Sequence, residues 1–204
     1  MNDDDHALNW EQAYQQGQTP WDKGQPSPPL RQRLQRHALA GRVLVPGCGL
    51  GHDVALLHAE GADAHGLDLA PSAIRLGLEA HPELVGRLHL GDLWQTPEDW
   101  QGSFDAVVEH TCFCALPPGL RARYEAVIHG LLKPAGLLIG VWFIHPQMDP
   151  GEQGPPFALP LPELESLFAP PRWQVLEDSV PDCGYEGRVG RERLRVLRRL
   201  EDHA

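Results

Sequence analysis

The sequence has little of what membrane, exported and nucleic-acid-binding proteins require. Its longest apolar run, "AGLLIGVWFI" at 135–144, is about half the length of a bilayer-crossing helix, so it reads as a buried strand. Four cysteines, Cys48, Cys112, Cys114 and Cys183, lack the paired C-x-x-C spacing of a structural zinc site. They read as free thiols in a reducing compartment, and no metal is expected. Basic residues are in deficit: Lys and Arg total 17 against 28 Asp and Glu, a net charge of −11. Such a field repels phosphate backbones and anionic bilayers, so neither nucleic acid nor a membrane is an expected partner. The start, "MNDDDHALNW", is acidic where an export signal is basic and then apolar. A cytoplasmic location is the expectation. No repeat or low-complexity linker breaks the chain, and 204 residues are enough for one domain with a substantial core.

What is present is alternation of two periods. Short runs rich in Val, Leu and Ile are each followed by a segment of helical period, the pattern of βαβ units around a parallel sheet. Strand "RVLVPG" precedes helix "GHDVALLHAEG", and strand "AHGLDL" precedes helix "PSAIRLGLEA" with Pro71 in its first turn. A short strand "LHLGDL", strand "FDAVVEH", helix "PPGLRARYEAVIHGLLK" and strand "GLLIGVWFI" follow. After a Pro/Gly-rich stretch and a short acidic helix come two more candidates, "WQVLEDS" and "ERLRVLRRL". The expectation is a mostly parallel seven-stranded α/β sandwich, with the pairing of the last two strands open. Residues 1–40 read as an N-terminal extension of two helices around a Pro-rich turn, 41–145 as the core and 146–204 as a loop, helix and terminal strands. The basic cluster "GRVGRERLRVLRRL" at 187–200 reads as a strand with a solvated face.

The turn "PGCGLG" lies where the first strand becomes a helix. Gly47, Gly49 and Gly51 let the backbone turn sharply and admit a ligand with no Cβ in the way, although glycines at strand ends also serve ordinary turns. Asp68 ends the second strand 21 residues after Gly47 (68 − 47), where α/β nucleotide sites place a carboxylate that accepts ribose hydroxyls. The spacing departs from the GxGxxG dinucleotide fingerprint and favours a mononucleoside cofactor, S-adenosylmethionine (SAM). Asp92 and Leu93 end the third strand, placed either to meet an adenine or, for Asp92, to cap a turn.

The combination of Trp10, Tyr14, Trp21, Asp22 and Gly24 with "LVPGCGLGHDV", "GLDLAPSAI", "GDLW", "FDAVVEHTCFCALPPGLR" and "LLKPAGLLIGVWF" resembles the thiopurine S-methyltransferase superfamily, in particular its thiol, thiocyanate and halide methyltransferase branch. The likeness runs from about residue 9 to residue 170. It implies a class I SAM-dependent methyltransferase, Rossmann-like in fold, whose N-terminal segment closes over SAM and which releases S-adenosylhomocysteine. Carried over, the cofactor contacts fall on Trp10, Trp21, Gly47, Asp68, Asp92, Leu93 and His110, with Tyr14 where that branch often has Trp. The family pattern usually reads Asp-Tyr before Phe-Phe-Cys. Here it is Glu109-His110, with Cys112 in place of the first Phe, a departure that bears on the methyl acceptor more than on the cofactor.

Methyl transfer to a soft nucleophile needs alignment and exclusion of water more than acid or base. Trp10, Tyr14 and Trp21 suit a lid over a sulfonium, or simply pin the N-terminal segment to the core. His110 is an available base for a thiol, or a packing or cofactor residue. His52 and Asp53, opening the helix after the glycine turn, read as supporting, and His145 as a candidate pocket residue. The expected partner is a small-molecule methyl acceptor. A thiol that enters neutral fits the −11 charge better than a small anion does. Competing readings are an O- or N-methyltransferase, a non-catalytic SAM-binding protein and a Rossmann oxidoreductase.

Overall fold

The computed structural model describes residues 9–144, 146 and 154–201. One seven-stranded sheet runs in the order β3-β2-β1-β4-β5-β7-β6, made of β1 (Arg42–Pro46), β2 (Asp63–Asp68), β3 (Leu88–Leu90), β4 (Phe104–His110), β5 (Leu132–Phe143), β6 (Trp173–Ser179) and β7 (Glu192–Arg199). β1 to β5 pair in parallel. β7 lies antiparallel between β5 and β6. The helices are α1 (Trp10–Gln15), α2 (Pro28–Arg36), α3 (His52–Ala59), α4 (Pro71–Ala80), α5 (Arg121–Leu131) and α6 (Leu161–Leu167). Among the described residues no helix is long and apolar enough to cross a membrane.

Alternation along the strands builds two apolar layers. Val43 and Val45 of β1 pack with Leu30 and Leu34 of α2 and Val54 and Leu57 of α3. Leu44, between them, points the other way, to Tyr124, Ile128 and Leu131 of α5. That is why β1 reads as a continuous apolar run: both faces are covered. Trp142, Phe113, Phe168 and Trp173 extend the second layer under β5 to β7. Truncating a buried aromatic of this kind to Ala costs roughly 3–5 kcal/mol.

Two segments differ from the sequence expectation. The helix expected over 117–133 is a short 3₁₀ turn, Pro118–Leu120, followed by α5, and β5 starts at Leu132, not at Gly136. The basic cluster does not present a solvated face: Arg195 is buried, and its Nε lies 3.2 Å from Asp178 Oδ2. A carboxylate from the neighbouring strand makes that burial tolerable.

The strand order places the site. The chain leaves β1 toward β2 on one side and returns to β4 on the other, so a crevice opens above the carboxyl ends of β1 and β4, the usual ligand position in open α/β sheets.

Candidate active site

A cavity of about 730 Å³ occupies that crevice, within the range of small-molecule sites. Trp10, Tyr14, Trp21, Gly47, Gly49, Asp68, Asp92, Leu93 and His110 all line it. Gly51 does not. It caps α3 in the left-handed region (φ 79°), and a Cβ there would meet Leu84 and Leu88 at 3.2 Å. In this structure Gly51 serves the turn and the packing beneath it. His145 lies outside the described residues.

The floor is the turn after β1. Gly47 has φ 57°, and a Cβ on it would stand 2.9 Å from Sγ of Cys112, so the two strand ends can approach this closely only with glycine there. Asp68 is nine-tenths buried at the end of β2. Its Oδ2 accepts the Gly49 N–H at 2.8 Å and its Oδ1 the Ala70 N–H at 2.9 Å. Burial raises its pKa, and the Ala70, Gly49 and Leu69 N–H groups oppose that rise without cancelling it. A carboxylate has about four acceptor positions, so acceptor capacity remains for a ligand. Asp92 lines the cavity, and its Oδ1 caps the following turn through the Trp94 N–H at 2.9 Å.

The roof comes from the N-terminal segment. Trp21 packs edge-on against Trp10 (5.1 Å between centroids) and Tyr14 (5.8 Å), and its Nε1 donates to Tyr14 Oη at 3.2 Å. The segment is fastened at several points. Glu11 receives the N–H and hydroxyl of Ser72, Asp22 Oδ1 meets His52 Nε2 at 3.1 Å, and the Ser27 N–H donates to Asp53 Oδ1 at 2.7 Å.

The remaining wall is built around the end of β4. His110 Nδ1 lies 2.7 Å from Asp53 Oδ2, and the ring stacks on Tyr185 at 5.8 Å. Burial works against the His110 cation, but the Asp53 carboxylate and then Glu192 outweigh it and raise the pKa. Burial likewise opposes the Asp53 anion, yet His110, the Ser27 N–H and His52 bring its pKa below the usual value. Both shifts favour the ion pair. His110 Nε2 is buried without a hydrogen-bond partner among the described residues. Thr111, next in the chain, is β-branched with φ 65°, a conformation that costs roughly 1–3 kcal/mol and concentrates at functional sites. The turn is held from beneath by Glu109, which accepts the Phe113 N–H at 2.8 Å and the Tyr124 hydroxyl. Burial pushes the Glu109 pKa up to about 7, against the pull of those hydrogen bonds.

Sequence reasoning missed Tyr185 and Arg188, and gave Asp53 only a supporting place. The Arg188 guanidinium lies 4.6 Å from the Phe143 ring centroid and 5.6 Å from that of Tyr185, in the cavity wall. Its place in the basic cluster hid it. Asp53 and His110 are 57 residues apart, and only the β1–β4 adjacency brings them together.

Sheet order, glycine turn and strand-end carboxylate together define the class I methyltransferase fold. Solved structures agree. Burkholderia thailandensis 1,6-didemethyltoxoflavin-N1-methyltransferase, with bound 1,6-didemethyltoxoflavin and S-adenosylhomocysteine, superposes with a TM-score of 0.69 at 20% identity over 94% of this chain and 86% of that one. A TehB-like SAM-dependent methyltransferase from Corynebacterium glutamicum gives 0.64 at 18% identity over 94% and 96%. Within that class the chain belongs to the thiopurine S-methyltransferase family, whose model matches residues 5–192. Among its relatives, probable thiol methyltransferase 2 of Arabidopsis thaliana is 30% identical over 91% of this chain and 82% of the relative. Thiopurine S-methyltransferase of Pseudomonas syringae pv. tomato is 28% identical over 93% and 94%.

Proposed function

We propose that this protein transfers the methyl group of SAM to a small soft nucleophile, foremost a sulfur compound, by in-line displacement. Family membership supports the reaction class, and the relatives are named for thiols, thiocyanate and thiopurines. The observation that carries the reading is Asp68: a buried carboxylate, aimed by two backbone N–H groups and with acceptor positions to spare, in the wall of a cavity roofed by three aromatic rings. SAM, when bound, supplies an electrophilic methyl on a sulfonium. Asp68 holds the ribose hydroxyls, with the Gly47 and Gly49 backbone beside it. Asp92 and Leu93 flank the adenine. Trp10, Tyr14 and Trp21 cover the cofactor, present aromatic faces to its cation and keep water out. The wall from His110 to Arg188 receives the acceptor, and holding it in line contributes most of the acceleration, with proximity worth up to about 7–11 kcal/mol.

On this reading a single domain does the work, with residues 1–40 as lid, 41–145 as cofactor core and 146–204 on the acceptor side. The enzyme acts in the cytoplasm on a small molecule, not on nucleic acid or at a membrane; the acidic balance and the four free thiols support this. The test is calorimetry with SAM and S-adenosylhomocysteine, followed by methyl-labelled SAM against thiols, thiopurines, thiocyanate, iodide and hydroxyl acceptors. Binding of both nucleosides and labelling of a soft acceptor is expected; labelling of hydroxyl acceptors alone overturns the acceptor class.

A further inference from the structure

We infer that Asp53 and His110 form a proton-accepting pair for the acceptor: His110 Nε2 takes the proton of an S–H group, and Asp53 is the positioning residue that fixes the ring. This inference rests on the methyl-transfer reading above.

Buried polar side-chain atoms are in the large majority hydrogen-bonded. His110 satisfies one of its two ring nitrogens. Nδ1 meets Asp53 Oδ2 at 2.7 Å, whereas Nε2 is buried with no partner among the described residues. A carboxylate accepts, so in the neutral ring, formed as His110 gives up its second proton, it selects the tautomer with the proton on Nδ1 and leaves the lone pair on Nε2. Asp53 cannot swing away with the ring, because its other oxygen is held by the Ser27 N–H at 2.7 Å. Tyr185, stacked 28° from parallel, fixes the ring plane from the side. The ring stands in the cavity wall at the switch point, immediately before the left-handed Thr111.

The charges decide the kind of acceptor. Asp53 and Glu192 press on His110 as anions and Arg188 as a cation; Tyr185 faces it as a neutral ring, and His52 acts on Asp53. Two carboxylates against one guanidinium favour a proton arriving on His110 over an anion arriving already formed. A halide or thiocyanate brings no proton and has no use for a bare imidazole nitrogen. A thiol has one. The balance is simple: the S–H proton moves to Nε2 and the freed sulfur lone pair forms the new S–CH₃ bond. The old bond to the sulfonium breaks with its electron pair left on the cofactor sulfur, and His110 then returns the proton to water. The protein's own cavity thiols do not compete, since burial pushes Cys48 and Cys112 well up and Cys114 to about 12.

The test is the pH profile of kcat/KM for a small thiol in the full-length enzyme, with SAM affinity measured alongside by calorimetry and thiocyanate as the acceptor without a titrating proton. The wild type should give a bell, rising as His110 loses its proton and falling as the free thiol ionises near about 8.5. In Asp53→Asn the rising limb should move to lower pH and the thiol rate at pH 7 should drop about 10-fold or more relative to that with thiocyanate. In His110→Gln the bell should be replaced by a single rise through the thiol pKa. A single rise in the wild type, or equal losses toward thiol and thiocyanate at every pH in both variants, overturns the pair while leaving methyl transfer standing. Failure of the wild type to bind SAM overturns the underlying reading instead.

Discussion

Glu11 of α1 caps α4 from outside it: its Oε2 accepts the Ser72 N–H at 2.8 Å and its Oε1 the Ser72 hydroxyl at 2.7 Å. The N-cap of α4 is Ala70, whose methyl group accepts no hydrogen bond, so Glu11, 61 positions from Ser72 in sequence, supplies the missing acceptor and carries the aromatic roof with it. Ser72's N–H, and next its hydroxyl, hold Glu11 below the usual carboxylate range. A depressed folded pKa means that the contact is present above the unfolded value of 4.5 and fades on acidification through the folded one.

Glu11→Ala should therefore loosen the roof without touching the cavity floor. Chymotrypsin cleavage at Trp10, Tyr14 and Trp21 should be several-fold faster than in the wild type, and S-adenosylhomocysteine should protect the wild type at these sites. Equal cleavage with and without the nucleoside excludes a lid that closes over it.

Asp68→Ala removes two acceptors from buried N–H groups as well as the proposed ribose contact. The apo protein should lose about 1–3 kcal/mol. The larger effect is on linkage: SAM at about 100 times its Kd should stabilise the wild type by roughly 2.7 kcal/mol, and most of that shift should vanish in the variant. Thermal melts with and without SAM report both quantities.

Glu109 predicts the direction of the alkaline side of the stability curve. Its folded pKa of about 7 lies above the ordinary carboxyl value of 4.5, so its contribution is fully present below the unfolded pKa and is lost as pH rises through about 7. Glu109→Gln keeps an acceptor for the Phe113 N–H and avoids the buried charge. Between pH 5 and pH 8 the wild type should lose roughly 2–4 kcal/mol more than the variant, read from urea midpoints. An identical pH dependence in both proteins contradicts the assignment.

How much of this was legible in the sequence depended on how local the determinant is. α4 spans Pro71–Ala80 and β4 Phe104–His110, as read from the chain, because a proline at the first helical turn and a bounded apolar run are local signals. The glycine turn and Asp68 were legible for the same reason, each marking a strand end. The insertion of β7 between β5 and β6 was not: antiparallel pairing of a terminal strand is decided by distant partners, and the alternating arginines disguised a buried strand as a solvated one. Gly51, the third glycine of the motif, packs toward Leu84 and Leu88, a contact that its spacing in the sequence does not reveal. Arg188 and Tyr185 escaped notice because nothing near them in the sequence marks a cavity wall. Asp53 was visible as a helix-opening carboxylate, but its bond to His110 exists only once β1 and β4 are neighbours.

The central claim is methyl transfer to sulfur from a nucleoside held at Asp68, and one measurement addresses it most directly. Purified enzyme is given methyl-labelled SAM and a small thiol, and the S-methyl product is followed by mass spectrometry in the wild type and in Asp68→Asn. The account predicts labelled thioether in stoichiometric step with S-adenosylhomocysteine, and a kcat/KM for SAM at least about 10-fold lower in the variant, the effect of losing roughly 1.4 kcal/mol of binding. Absence of labelled product from every soft acceptor, or an Asp68→Asn enzyme indistinguishable from the wild type, would contradict it.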